Sequence, residues 1–235
     1  MTTALYLRDS YLQKFAGKVV EAEGTNVILD QTAFYPAGGG QPSDVGAVEC
    51  DGKSFGVLAV RKSEQGIVHE LDGGGLHAGD KITGTIDWQR RYQLMRHHTA
   101  SHVLCAIIHR ATGALITGNQ IGTDKTRVDF NLPEFDKEKI SNYAKTANQM
   151  MAQGLQVTTR FLPRAEALQI PGAVKLATAL PPEITELRIV QIGDIDTQAD
   201  GGTHVRNTSE VGKIAIVGAE NKGKSNRRIY FALEP

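Results

Sequence analysis

The chain has 235 residues, with Lys+Arg and Asp+Glu both at 26 and a formal net charge of zero. A balanced chain cannot hold nucleic acid by bulk charge, which leaves local basic patches for that purpose; 40% hydrophobic and 22% charged residues are those of an average folded protein rather than a disordered or fibrous one. The two cysteines, Cys50 and Cys105, exclude a disulfide framework, no apolar leader follows Met1, and the longest apolar run is only Val103–Ile108, so the expectation is a soluble cytoplasmic protein with no membrane partner.

The first third reads as β-structure. Short runs rich in Val and Ile lie at 18–22, 26–30, 45–50, 55–61, 66–71 and 81–87, separated by Glu23-Gly24-Thr25-Asn26, Asp51-Gly52 and Asp72-Gly73-Gly74-Gly75. Such spacing predicts a small antiparallel barrel or sandwich. The period then changes. From Trp88 to Ala111, Tyr92, Met95, Thr99, His102, Val103, Ala106 and Ile107 recur at helical spacing, with Asp87 placed to cap the N-terminus and Gly113 just past the C-terminus. Beyond it come a strand at 126–132, a helix at 136–153 capped by Asp136 and stopped by Gly154, a strand at 155–162, a short helix at 164–168, and strands at 187–192, 213–218 and 228–233. A boundary near Asp87 divides an N-terminal β-barrel domain, 1–87, from an α+β domain, 88–235. The predicted class is α+β.

All but His204 of the seven histidines fall between His69 and His109. The sharpest pattern is His98-Thr99-Ala100-Ser101-His102. Residues four apart on a helix stand one turn apart on one face, so both imidazoles can reach one ion, as in many helical zinc sites, or can line a core stripe with hydrogen-bonded nitrogens. Asp200-Gly201-Gly202-Thr203-His204 offers a carboxylate and an imidazole from a glycine-rich loop, or forms a β-turn with Asp200 bonding its own backbone. Together the pairs supply four nitrogen and oxygen donors of the kind that suit Zn²⁺. Spacing alone does not bring them together. Cys105 lies roughly 10 Å along the helix from His98, which favours a small core residue. His97 points about 100° away from His98 and is expected in solvent. His69 and His77 have no ligand-spaced partner. The residues between His98 and His102 include no glutamate, which argues against a His-Glu-x-x-His peptidase.

With these pairs in view, His98–His102, the Asp200–His204 loop and the run Asp87-Trp88-Gln89-Arg90-Arg91-Tyr92-Gln93-Leu94-Met95-Arg96-His97 resemble the editing domain of alanyl-tRNA synthetase, and more closely its stand-alone relatives, the AlaX alanyl-tRNA editing proteins of medium length. Leu29–Gly46 is similar to the N-terminal signature of that family, Gly118–Gly122 and Asp124–Phe130 to its middle, and Lys222–Ile229 to its C-terminal end, so the resemblance spans nearly the whole chain. It implies a zinc-dependent hydrolase that deacylates mischarged tRNA(Ala), chiefly the seryl and also the glycyl ester, acting without ATP; the sequence does not give the oligomeric state, with a monomer favoured. The implied fold is a small β-barrel joined to an α+β editing domain, with one Zn²⁺ held between the long helix and a sheet loop by His98, His102, Asp200 and His204. One departure stands out: the family's usual second pair is Cys-x-x-x-His, and here Asp200 holds the cysteine position, as an ion ligand or as a partner of a three-histidine site.

The resemblance also implies that Gln120 orients water or the ester carbonyl, and that Thr32 reads the serine hydroxyl that alanine lacks. Gly38, Gly39, Gly40 and Gln41 then bring bare backbone N–H groups to phosphates or to the CCA end. Lys222, Lys224, Arg227 and Arg228, the densest basic cluster, contact tRNA phosphates. Each has a plainer reading: a solvent-facing strand residue for Gln120, a turn hydroxyl for Thr32, a hairpin turn for the glycines, a solvated hairpin tip for the cations. Two other functions fit the same motifs, a zinc hydrolase of a small ester or amide and a tRNA-binding module with a structural metal. A structural zinc site is usually closed by four protein ligands.

Overall fold

A computed structural model describes residues 2–170, 185–223 and 226–235. The chain divides into two compact units, Met1–Tyr92 and Gln93–Pro235. In the first, β1 (Thr3–Ala4), β2 (Lys14–Glu23), β3 (Asn26–Leu29), β4 (Gln31–Thr32), β5 (Gly46–Cys50), β6 (Lys53–Lys62), β7 (Ile67–Leu71) and β8 (Lys81–Ile86) follow in order. Six of them close a barrel in the order β2-β3-β7-β6-β5-β8, all pairs antiparallel, while β1 and β4 form a small parallel pair. Closure removes the exposed sheet edges that a β-structure must otherwise protect.

Val19, Val27, Leu29, Val48, Val57, Val60, Leu71, Ile82 and Ile86 point inward around Phe15, Phe34 and Tyr35 to make the barrel core. Gly84 is required by that packing, because a Cβ there would lie 2.3 Å from the Phe15 ring. Arg91, fully buried, closes the core with its guanidinium. Nε bonds both Asp44 oxygens at 2.9 and 3.1 Å, Nη2 also reaches Asp44, and the Ser10 and Ala33 carbonyls accept from Nη1 and Nη2 at 2.9 and 2.7 Å. The Tyr35 N–H donates to the same carboxylate.

The helix α1 (Trp88–Thr112) begins in the first unit and runs into the second. The Asp87 side chain accepts from the Arg90 N–H, and Gly113 takes φ +71° at the far end, so both ends carry the expected stop signals. Within the second unit follow β9 (Ile116–Gln120), β10 (Thr126–Phe130), α2 (Lys137–Met151), β11 (Val157–Pro163), α3 (Arg164–Ala167), β12 (Glu186–Ile192), β13 (Asp196–Ala199), β14 (Lys213–Asn221) and β15 (Arg227–Glu234). They form a four-stranded sheet, β14-β15-β10-β9, and a three-stranded sheet, β11-β12-β13, each antiparallel. Asp136 caps α2 by accepting from Glu138 and Lys139.

From Leu94 to Ile108 α1 is buried nearly all round, its apolar Met95, Val103, Leu104, Ala106 and Ile108 together with the polar His97, His98, Thr99, Ser101 and His102. It meets β10 and β15 through His97, and β13 and the turn before it through His102 and Arg110. The expectation of a solvent-exposed His97 is therefore corrected. His97 is 1% exposed, its Nδ1 lies 3.0 Å from Thr126 Oγ1, and its ring stacks on Phe231 at 5.8 Å. A helix with sheet packed on more than one side has no wet face next to His98. Among the described residues no helix is long and apolar enough to cross a membrane.

Candidate metal centre

Helix geometry puts His98 and His102 on one face of α1. The second pair comes from the loop that follows β13, and the fold brings the two pairs together. One ligand atom from each of His98, His102, Asp200 and His204 lies within 4.8 Å of all the others. The rings of His98 and His204 are stacked at 4.4 Å, and His102 stands edge-on to both at 5.0 and 4.8 Å. Asp200 Oδ2 is 3.0 Å from His204 Nε2, and Oδ1 is 3.7 Å from His98 Nε2.

The loop is held for this purpose. The Asp200 N–H donates to the Arg188 carbonyl, and Arg188 Nη1, from β12, returns bonds to the Asp200 and Gly202 carbonyls at 3.0 and 2.9 Å. The Gly202 N–H donates to Asp200 Oδ2 at 2.6 Å. Asp200 thus forms the backbone turn expected of an aspartate before glycine and at the same time presents its carboxylate to the histidines. Around the donors sit Asp196, whose Oδ2 is 2.8 Å from His102 Nδ1, and Thr99, whose Oγ1 is 3.1 Å from His204 Nδ1. Arg188, Asp196 and Thr99 carry no ligand spacing that would single them out in the sequence.

Burial fixes the protonation. It holds His98 well below the ordinary imidazole range and His204 at about 4, against the opposing pull of Asp200. For Asp200 burial works against the charge, yet the facing imidazoles of His98 and His204 win and keep its carboxyl well below the usual range. Neutral imidazoles beside an ionised carboxylate are the protonation state a metal ligand set requires. Three nitrogen donors and one oxygen, converging inside a protein interior, fit a divalent ion of the zinc type.

The remaining site residues fall in separate places. Gln120 is exposed at the end of β9, opposite Arg127 of β10. Thr32, at the end of β4, is fully buried; its Oγ1 accepts the Phe34 N–H at 3.1 Å and lies 2.8 Å from His69 Nε2. His69 Nδ1 faces the Val27 carbonyl at 3.2 Å. A carbonyl only accepts, so Nδ1 carries the ring proton and Thr32 donates its own to Nε2. Burial pushes His69 down to about 4. His69, left without a role by its spacing, thus directs the Thr32 hydroxyl.

Gly38 and Gln41 exchange backbone hydrogen bonds at 3.1 and 2.9 Å across Gly39 and Gly40, whose φ values of +59° and +84° suit glycine. The Tyr35 hydroxyl donates to the Gly38 carbonyl at 2.8 Å. Of the basic cluster, Lys222 pairs with Glu220 at 2.6 Å, and Arg228 grips both oxygens of Asp129 at 2.7 and 2.9 Å. Arg227 is largely buried and donates to Asn221 and to the carbonyls of Gly223 and Pro133. Lys224 lies outside the described residues.

Comparison with known proteins agrees with the motifs. A profile described as the threonyl and alanyl tRNA synthetase second additional domain matches residues 187–230, and one described as class II (A) tRNA synthetases matches residues 4–90. The alanyl-tRNA editing protein AlaX-M of Saccharolobus solfataricus is 47% identical over 238 residues, covering 100% of both chains. That of Methanosarcina barkeri is 48% identical, covering 99% of both. The alanine–tRNA ligase of Pyrococcus abyssi is 38% identical over 98% of this chain but only 26% of its own length. With identity at this level over the full length of both chains, the chain belongs to the AlaX-M family of alanyl-tRNA editing proteins.

Proposed function

We propose that this protein is a zinc-dependent hydrolase that removes the wrong amino acid from tRNA(Ala), chiefly serine and also glycine, by cleaving the ester to the terminal ribose. The single observation that carries the reading is the convergence of His98, His102, Asp200 and His204 on one point, in a chain whose full-length relatives are named alanyl-tRNA editing proteins. His98, His102 and His204 hold the ion, and Asp200 joins them in place of the family's usual cysteine. When bound, the ion supplies a more acidic water or polarises the ester carbonyl.

The chain's own groups do the rest. Gln120 orients the water or the ester carbonyl through its amide. Thr32 reads the serine side chain: with its proton committed to His69 and one lone pair to the Phe34 N–H, its oxygen keeps a second lone pair for the seryl O–H, a group that alanine lacks. A site built to satisfy a substrate hydroxyl discriminates strongly against the analogue without it. With the N–H groups of Gly38 and Gln41 bonded to each other's carbonyls, the turn offers those of Gly39 and Gly40 to the CCA end, and Lys222, Lys224, Arg227 and Arg228 meet tRNA phosphates. Arg227 and Arg228 are also paired inside the protein, and Lys222 would exchange its Glu220 partner for phosphate.

Four protein donors can also close a structural zinc site, which favours a second reading as a tRNA-binding module. Elemental analysis and turnover separate these. Protein purified without added metal should carry one zinc per chain, and the double variant His98→Ala/His102→Ala should lose it together with seryl-ester hydrolysis. Full metal content in the double variant refutes the site. Retained metal in the wild type with no hydrolysis favours the second reading.

A further inference from the structure

The rings of His102 and His204 are held by groups outside the donor set, and in different ways. Asp196 Oδ2, buried at the start of β13, lies 2.8 Å from His102 Nδ1. An ionised carboxylate only accepts, so Nδ1 carries the proton and the lone pair stays on Nε2. His204 is different. Its Nε2 is 3.0 Å from Asp200 Oδ2, and its Nδ1 is 3.1 Å from Thr99 Oγ1, which also accepts the Val205 N–H at 3.3 Å.

Two arrangements satisfy that geometry. With the proton on Nε2, His204 donates to Asp200, and the Thr99 hydroxyl donates to Nδ1. With the proton on Nδ1, His204 donates to the Thr99 oxygen, and the lone pairs of Nε2 and Asp200 face each other at hydrogen-bond distance. The second arrangement is repulsive unless a cation lies against both atoms. A hydroxyl can serve as either donor or acceptor, so Thr99 supports both states without moving its oxygen. A carboxylate could not.

We propose that Asp196 and Thr99 are positioning residues that divide the work: Asp196 sets His102 permanently in its metal-binding tautomer, and Thr99 lets His204 change tautomer as a divalent cation enters beside Asp200. In the change the Nε2 proton passes to solvent water and Nδ1 takes one proton from solvent water, so the ring remains neutral and no net proton is released. The Thr99 hydroxyl turns from donor to acceptor in the same event. His98-Thr99-Ala100-Ser101-His102 then supplies two donor rings and the group that prepares a third from a distant loop. The inference rests on the reading of His98, His102, Asp200 and His204 as a metal site.

The test uses the full chain stripped of metal, with Zn²⁺ as the probe. Removing partners of this kind typically costs about 10–100-fold in metal affinity, so Thr99→Val and Asp196→Ala should lose that much in competition with a chelator. Thr99→Ser, which keeps the hydroxyl, should retain wild-type affinity. Long-range ¹H–¹⁵N spectra of the imidazoles give a readout that a purely structural role would not move. On zinc addition His204 should pass from Nε2–H to Nδ1–H, while His102 is Nδ1–H before and after. If Asp196→Ala does not fold, the Thr99 pair and the spectra still decide. A wild type that binds no zinc overturns the metal reading and this inference with it. A wild type that binds zinc, with Thr99→Val equally tight or His204 unchanged in tautomer, overturns the inference alone.

Discussion

Replacing Arg91 by methionine tests how the barrel unit is held together. The guanidinium is fully buried and bonds both oxygens of Asp44, itself 1% exposed, together with the carbonyls of Ser10 and Ala33. Methionine fills similar volume but leaves Asp44 as a buried charge with no cation and two carbonyls without their donor. Breaking a buried pair from one side costs about 3–5 kcal/mol, because the stranded carboxylate keeps its full desolvation penalty. Trp88, the chain's single tryptophan, packs 5.4 Å from Tyr11 in this unit and reports its unfolding by fluorescence. With a urea slope of about 1–3 kcal/mol per molar, the midpoint should fall by roughly 1–5 M. Adding Asp44→Asn to Arg91→Met should recover part of the loss, since the amide oxygen still accepts the Tyr35 N–H without a buried charge. A loss below about 1 kcal/mol, the size of one ordinary hydrogen bond, would refute the view that this pair anchors the segment from Ala33 to Asp44.

Other consequences follow from single groups. His69, pushed by burial to about 4 against about 6.5 in an unfolded chain, contributes stability that is complete above pH 6.5 and is lost as the pH falls towards 4, by at most about 3 kcal/mol. His69→Gln should therefore flatten the acid side of the barrel's stability profile, and an unchanged slope would show that His69 is not held neutral. Thr32→Val removes the acceptor and should slow seryl-ester hydrolysis by about 1–3 kcal/mol of barrier with a smaller effect on the glycyl ester; equal losses would mean that Thr32 only shapes the barrel. Neutralising Lys222 and Lys224 should weaken tRNA binding and lower its salt dependence, as fewer counterions are released, whereas an unaltered salt slope would leave the hairpin as solvated surface. Asp200→Ala should lose the ion or loosen it sharply if the carboxylate is a direct ligand, as measured by zinc content after dialysis against a chelator; a loss of about 10–100-fold or less would place it behind a histidine instead.

Much of this architecture was legible in the sequence, for reasons that can be named. The six barrel strands announce themselves because Val and Ile recur between Gly, Asp and Asn turns, and α1 because Asp87 and Gly113 bracket a helical period. Besides the two-residue strands Thr3–Ala4 and Gln31–Thr32, two strands carry no such signal. Ile116–Gln120 has one apolar residue on its buried side, and Asp196–Ala199 points Asp196 and Gln198 inward, where alternation would call for Val or Ile. The reason in the second strand is chemical: Asp196 faces inward because His102 is there to meet it. His97 was misjudged because an angle around a helix axis says where a side chain points but not whether a sheet is waiting, and β10 and β15 are. The donor set was visible as two spaced pairs, but Thr99, Arg188 and Asp196 bear on it only through contacts made by the fold. The basic cluster shows the converse, since residues dense in sequence, Arg227 and Arg228, turn out to spend much of their charge inside the protein.

The central claim is tested most directly by incubating the metal-loaded protein with tRNA(Ala) charged separately with serine, glycine and alanine, each with and without a chelator. Serine should be lost rapidly, glycine measurably and alanine no faster than the uncatalysed rate, and the chelator should abolish all activity, with recovery on adding Zn²⁺. Hydrolysis that survives complete removal of the metal, or that consumes the alanyl ester as fast as the seryl ester, would contradict it.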